Sequence, residues 1–421
     1  MAIRWVAAAA LPLTRPAKPP PRRRLLAAII GAPPGRAAIL LAFLSAAFVW
    51  NYGLGLTYVM VPLYAHSQGL SGAEIGILFS LPVLGQMAVN LVGGAYTDRL
   101  GGRRIMLLSA GLMALAGLGF IAARGFWMLV GGQLLMVLSR ATFWPAAWSS
   151  ASELPGHRGA QLGRLNATTN LGQILGTGSA GFLLGWLGYA TSFLALAAIG
   201  LSAAALVLGA RTAGDRRQAT RHAFVHFRPL LRLPVIYFAV LCAYLSALPF
   251  SLSTSFYPLL LLHYGFSADA SGLLIALRAV GSIGASLLLA RLVRTGPASR
   301  WPLYAGATVA LAIGALPLFP AAPLIAALML LVGVGSGTMT LYFQITISET
   351  SNAEQRGSAL ALGGFGWGLS HLTTPLIMGF LADRHGIASG FYVLGALALA
   401  AAGTATALRR WAFSGTRLAA A

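Results

Sequence analysis

Acidic side chains are scarce in this chain: eight Asp and Glu stand against 29 Lys and Arg in 421 residues, and charged residues make up only 9%. Soluble domains carry about a quarter of their residues as charged ones, so an ordinary water-facing surface is excluded. Cysteine is nearly absent too. The single Cys242 lies inside an apolar run, which excludes a disulfide framework and a cysteine metal cluster; a small buried thiol is the plain reading. No metal-ligand set and no pairing of a nucleophile with a base occurs, so an enzyme is the least favoured class and neither cofactor nor metal is expected.

Apolar residues fill the space that charge leaves. They make up 57% of the chain, with a mean hydropathy of +0.78. A helix crossing lipid needs about 20 such residues, and twelve runs qualify, at roughly 37–64, 75–97, 105–123, 126–151, 161–184, 189–210, 235–263, 271–293, 302–319, 323–348, 358–382 and 388–408. A net charge of +21 on a soluble face would suggest nucleic acid. Here the arginines fall in the gaps between runs, so the lipid bilayer is the partner and nucleic acid is not.

Their placement also sets an orientation. The first 36 residues carry seven basic residues, the turn after the second run adds Arg99, Arg103 and Arg104, and the longest gap holds Arg211, Arg216, Arg217, Arg221, Arg228 and Arg232, whereas the alternate gaps hold only Arg124 and Arg384. Positive charge stays on the cytoplasmic side. Both termini are therefore expected in the cytoplasm, and the protein in the cell (inner) membrane. The expected organisation is a basic, Pro- and Arg-rich tail at 1–36, a six-helix bundle at 37–210, a linker at 211–234, a second bundle at 235–410 and a tail at 411–421. The apolar piece 5–13 resembles the core of a signal peptide, but no clear small-residue cleavage site follows it.

The two bundles are copies. Pro62, Gly69, Ser71 and Gly76 recur as Pro258, Gly265, Ser267 and Gly272, each 196 residues on, and Gly181, Phe182, Gly188 and Phe193 recur as Gly379, Phe380, Gly386 and Phe391, each 198 on. Six spans per copy give both halves the same orientation, related by an axis along the membrane normal.

With that duplication, one turn becomes diagnostic. Gly94, Asp98, Arg99, Gly101, Arg103 and Arg104 resemble the loop between the second and third helices that marks the major facilitator superfamily of secondary transporters. The resemblance covers nearly the whole chain after the tail. It implies an all-α multi-pass membrane protein of 12 transmembrane helices in two six-helix bundles related by a pseudo-two-fold axis, working as a monomer by alternating access. In the second copy the position of Asp98 falls on Arg294, so only the first loop is complete. The resemblance further implies that Asp98 sits near the cytoplasmic start of the eleventh helix, with Arg103 or Arg104 beside Glu153, holding the inner side shut.

The fifth run carries Gly163, Gly172, Gly176, Thr177, Ala180 and Gly181, similar to the glycine motif of the family's antiporters except for Thr177 and Ala180. Glycines four residues apart let two helices approach closely in lipid, so close packing and an antiporter role both fit.

The eight acids, Glu74, Asp98, Glu153, Asp215, Asp269, Glu349, Glu354 and Asp383, all fall in gaps or at run ends. No carboxylate stands in mid-span to carry a proton. Arg140 and Arg278, by contrast, lie within spans, where facing lipid costs a few kcal/mol or more; they are expected inward, binding substrate or pairing with helix carbonyls. His371 is either a proton site, replacing the missing carboxylate, or a packed histidine.

Other candidates for the substrate cavity are Asn51 and Tyr52 beside Gly53, the Pro249 region with Ser251, Ser253, Thr254 and Ser255, then Trp144, Asn170, Tyr342, Gln344 and Trp367. Gly53 and Pro249 share the offset of 196, so both copies are expected to break at one place and free backbone groups for substrate. The functional reading is a transporter of a small-molecule substrate, an efflux antiporter for a drug or sugar-like compound, with protons as a possible coupling ion. An organic-anion carrier or exchanger using Arg140 and Arg278 is the alternative, and a non-transporting membrane protein with the same fold is the alternative of another class. Asp98→Asn is predicted to shift the population inward, read as faster labelling of cysteines placed along the cytoplasmic entrance. An unchanged rate contradicts the latch role.

Overall fold

The computed structural model describes residues 34–154, 158–209, 230–350 and 356–413, and among them the chain forms helices and no strand. The helices are α1 (Pro34–Ser67), α2 (Gly72–Leu100), α3 (Gly102–Ala122), α4 (Phe126–Glu153), α5 (Arg158–Gly209), α6 (Pro234–Ser253), α7 (Tyr257–His263), α8 (Ala268–Leu289), α9 (Trp301–Ala315), α10 (Ala322–Thr350), α11 (Arg356–His385) and α12 (Ile387–Ala412). Among the described residues ten helices are long and apolar enough to cross a membrane. The 52-residue α5 turns at Gly188, whose φ of 69° is open to glycine, and so supplies the fifth and sixth expected spans as two arms. The middle of α11 holds Ser370, His371, Thr373 and Thr374, and α11 is not among the ten.

The seventh expected span is split into α6 and α7. The break falls at 254–256, a few residues past Pro249, which stays inside α6. Here Ser253 donates to the carbonyl of Pro249 at 2.8 Å, Thr254 to Ser251 at 2.9 Å and Ser255 to Ser251 at 2.7 Å. Such local hydroxyl bonds compete with the helix ladder beside a residue that cannot donate to it. The expected matching break in the first copy is absent, since α1 runs unbroken from Pro34 to Ser67. Glycine keeps its N–H, so Gly53 weakens the helix without ending it.

Glycines bring helices together within each half. A side chain on Gly172 would strike the carbonyl of Phe48 at 2.5 Å, and one on Gly176 would strike that of Tyr52, so these two seat α5 against α1. Gly163, expected in the same role, faces open space. Elsewhere in the first half Trp50 stacks on Phe143, ring centres 3.9 Å apart, and donates to Ser139 at 3.2 Å. Ser109 and Ser139 exchange hydroxyl-to-carbonyl bonds of 2.8 and 2.7 Å across α3 and α4. In lipid such polar ties and close backbones hold helices that hydrophobicity alone cannot sort.

The halves meet where α2 packs on α11 and α5 on α8. Both seams are built alike. A Cβ on Gly379 would overlap the backbone of Gly72, and one on Gly181 that of Ala268 and Asp269; one on Gly76 would meet the carbonyl of Pro375, and one on Gly272 that of Thr177, each at 2.5 Å. The four glycines are two symmetry-related pairs, and Thr177 is the partner of Pro375 in the repeat. Replacing Gly379 with Ala is therefore expected to force the seam apart and lower stability by roughly 1–3 kcal/mol, the usual cost of overpacking. Gly163→Ala should be neutral or slightly stabilising. Equal melting temperatures for the two variants in detergent would contradict this account of the seam.

Candidate functional site

Between the halves lies a narrow chamber of about 20 Å³, lined from the first half by Tyr58, Gln133 and Arg140 and from the second by Thr254 and His371, with Phe79 among the apolar residues of its wall. Tyr58 and Thr254 are equivalent positions in the two copies, 196 residues apart. A space of this size holds water and no organic solute. A solute enters only when the halves part.

Phe250 of α6 is the hub of the second-half wall. Its ring stands edge-on to Tyr58 at 5.4 Å and lies 5.3 Å from Trp367 and 5.4 Å from His371, with the Arg278 guanidinium carbon 5.2 Å from its centre. Arg278 itself is buried. Glycines fix its helix: Gly333 of α10 presses on the carbonyl of Arg278, and Gly337 on that of Ser282 at 2.6 Å. A cation over an aromatic face is stabilised by the ring quadrupole, yet this leaves its N–H groups to be used elsewhere. The Nε of Arg278 has no partner.

Arg140 of α4 donates from Nη2 to Oε1 of Gln86 at 2.6 Å, and its Nε too lacks a partner. His371 Nδ1 lies 2.8 Å from the carbonyl of Trp367. A carbonyl only accepts, so Nδ1 carries the hydrogen, and in the neutral ring Nε2 is a bare acceptor. That atom is buried and unpartnered, as are Tyr58 Oη and Gln133 Oε1. Trp367 stacks beside His371 and donates to Ser246 at 3.1 Å. Buried polar atoms are ordinarily satisfied; five that are not, Tyr58 Oη, Gln133 Oε1, Arg140 Nε, Arg278 Nε and His371 Nε2, belong to this one group of residues.

Of the residues read from the sequence, Arg140, Arg278, Trp367 and His371 are brought together. Others stand apart. Asn51 donates to the carbonyl of Ala47 within α1, Tyr52 shares a 2.8 Å hydroxyl bond with Ser179 at the α1–α5 seam, and Trp144 packs among Phe143 and Trp148. Tyr342 is buried against Phe238, Gln344 is exposed and Asn170 half-buried. Tyr58, Gln86, Gln133 and Phe250 escaped the sequence reading. The first two offered only a Tyr opposite Thr254 in the repeat and a polar residue in mid-span, and Phe250 follows the flagged Pro249.

At the signature turn, the whole connection between α2 and α3 is Gly101, with φ 83°. Arg103 donates to the last carbonyls of α5, Val207 at 3.3 Å and Leu208 at 2.6 Å, where a helix end leaves acceptors free and favours a cation. Arg104 is exposed. The side chains of Asp98, Arg99 and Glu153, with Gly94, lie outside the described residues, as do most of the tail and linker. At the opposite end of the bundle the structure offers a second clasp. Asp383, at the end of α11, accepts from the backbone N–H of Gly72 at 2.6 Å and of Ala73 at 2.8 Å, capping α2 across the halves.

The chain belongs to the Major Facilitator Superfamily, whose family model matches residues 38–347 and 239–413. It is a multi-pass membrane transporter, not an enzyme. Among curated proteins it is 28% identical over 138 residues to the quinolone resistance protein NorA of Staphylococcus aureus, a match covering 32% of this chain and 36% of that one. It is 29% identical over 167 residues to a multi-drug resistance efflux pump PmrA homolog of Lactococcus lactis, covering 38% and 41%. Those matches thus span well under half of either relative. The fold is shared with a crystal structure of a bacterial homolog of the human lysosomal transporter Spinster in an inward-facing, unoccupied conformation, at a TM-score of 0.70, 18% identity and coverage of 92% of this chain and 98% of that one. The nucleoside transporter NupG also shares it, at a TM-score of 0.70, 12% identity and coverage of 88% and 98%.

The Asp383 clasp yields a prediction. In a Cys242→Ser background, a cysteine replacing Thr254 should label faster from the 68–71 side when Asp383 becomes Asn, because the neutral amide loses the charge-assisted capping bonds. An unchanged labelling rate would show that the glycine seams alone keep that end shut.

Proposed function

We propose that this protein is a secondary carrier that moves a small organic compound out of the cell by alternating access, its solute bound between the halves at the Phe250 hub. The observation that carries the proposal is the convergence of Tyr58 and Arg140 from one half with Phe250, Trp367, His371 and Arg278 from the other. A group of aromatic faces with unpartnered polar atoms suits an aromatic solute with a few polar substituents. The names of the partial relatives, a quinolone resistance protein and a multi-drug efflux pump, point the same way.

Transport follows from the seams. Residues from both halves line the chamber, so tilting one bundle against the other opens it toward one side while the glycine seams close the other. The cytoplasmic clasp of this cycle is assigned to Asp98 and the opposite one to Asp383. His371 is proposed as the proton site, since its Nε2 is an acceptor without a partner next to the solute position. A proton and a solute that compete for this group would exchange rather than travel together.

The test is transport in proteoliposomes holding the full chain, with the aromatic dye ethidium and a panel of neutral and acidic aromatics as cargo. Wild-type protein is expected to move at least one of them against its gradient when a pH gradient is imposed, and His371→Ala to abolish that driven movement while leaving exchange intact. Undiminished driven transport in His371→Ala removes the proton role. Failure of every compound to move favours a membrane protein that keeps the fold without transporting.

A further inference from the structure

We infer that the solute carries an anionic group, of the carboxylate class, seated on Arg140 and Arg278 so that one from each half holds it. This deepens the transport proposal and rests on it for the chamber's being a transport site.

Both guanidinium groups sit deep between apolar helices with donors unused. Arg140 has one N–H group on the neutral amide of Gln86 and an unpartnered Nε; Arg278 lies over Phe250, also with an unpartnered Nε. Two cations so placed and without a counter-ion are strongly disfavoured. Among the described side chains no carboxylate reaches them. Glu74 bonds to Ser71, Glu349 to Thr295, Asp383 to the start of α2, and Asp269 stands in the first turn of α8.

Two of the other four acids stand far along their own helices. Asp98 follows Gln86 by twelve residues of α2 and Glu153 follows Arg140 by thirteen of α4, or roughly 18–20 Å at the helical rise. Glu354 lies outside the described residues. Asp215 belongs to the linker. Among the described residues, then, the protein supplies the positive half of an ion pair in the chamber and leaves the negative half to the cargo.

The remaining unpartnered atoms define the rest of the ligand. Donors stand at the two Nε atoms, whereas Gln133 Oε1 and the Nε2 of neutral His371 are acceptors. An anion satisfies the first pair, and an N–H or O–H elsewhere on the same molecule satisfies the second. The aromatic rings of Phe250, Trp367 and Tyr58 face a flat apolar body between them. Because Arg140 belongs to the first half and Arg278 to the second, an anion bridging them draws the halves together around itself. Bound cargo thus favours the occluded state.

The experiment compares 2-naphthoate with its neutral isostere 2-naphthamide and with ethidium, using quenching of tryptophan fluorescence and thermal shift on the purified full chain, then uptake into proteoliposomes. Wild-type protein is expected to bind naphthoate about tenfold or more tighter than naphthamide, the scale of a hydrogen bond to a charged partner. Arg140→Gln and Arg278→Gln should each remove most of that preference, read as the ratio of naphthoate to naphthamide affinity, and Arg278→Lys should restore part of it. The wild-type comparison decides even if a variant does not fold. Naphthamide or ethidium binding as tightly as naphthoate, no naphthoate binding at all, or a preference that survives both Gln variants would overturn the inference. Naphthoate bound with preference while none of the compounds moves sinks the transport proposal alone; ethidium moved with naphthoate unbound sinks the anion alone.

Discussion

The two halves meet backbone to backbone, and the rest of the structure depends on that contact. Where Gly379 meets Gly72, and again where Gly181 meets the backbone of Ala268, the glycines have no room for a side chain. Close approach of this kind gives strong dispersion contact over a small area and breaks as a unit, because a packed interface does not deform gradually. A carrier needs such a joint. Contacts that were broad and interdigitated would hold one state too firmly, and contacts made only of long polar side chains would leave the halves sliding past each other. Two matched glycine seams, one on each side of the pseudo-axis, give a joint that either closes at both seams or opens.

That joint fixes what the chamber can be. With α2 held to α11 and α5 to α8, residues of α1, α4 and α11 and of the break after α6 enclose the centre, and several of the polar atoms they bring there have no partner within the protein. A buried donor without an acceptor costs about 1–3 kcal/mol, more when charged. Several gathered together are tolerated only where something else completes them for part of the cycle. The same logic separates the chamber from the Ser109–Ser139 crossing, where every hydroxyl is used and the contact serves packing alone.

Much of this was legible in the sequence because membrane helices obey few rules and obey them strongly. The duplication and the Gly101 turn followed from run lengths, charge placement and repeated spacing. Arg140 and Arg278 were legible for the same reason: a cation in mid-span has nowhere to go but inward. What stayed hidden depends on rotation about the helix axis. Asn51 and Tyr52 share a helix with Tyr58, yet only Tyr58 turns to the chamber, and a glycine such as Gly163 looks like Gly172 until a neighbouring backbone is present. The Asp383 clasp joins residues over 300 apart with no counterpart in the first copy, so no local pattern announced it.

The repeat gives the scaffold and its departures give the function. Both seams use equivalent positions, and a symmetric scaffold by itself has two conformations of similar energy, one open to each side. In the proposed cycle, charge breaks the tie. Asp383 corresponds to Gly185 in the first copy and Asp98 to Arg294 in the second, so each acid has no twin. The chamber arginines are equally unpaired: Arg278 corresponds to Pro82, and Arg140 falls on Ser336 or Thr338. Had the arginines been duplicated, four cations would face one small space and repel beyond what a single anion offsets. With one from each half at unrelated positions, the anion takes its second contact only when the halves close, and its binding energy is then directed at the occluded state through which either direction of transport must pass.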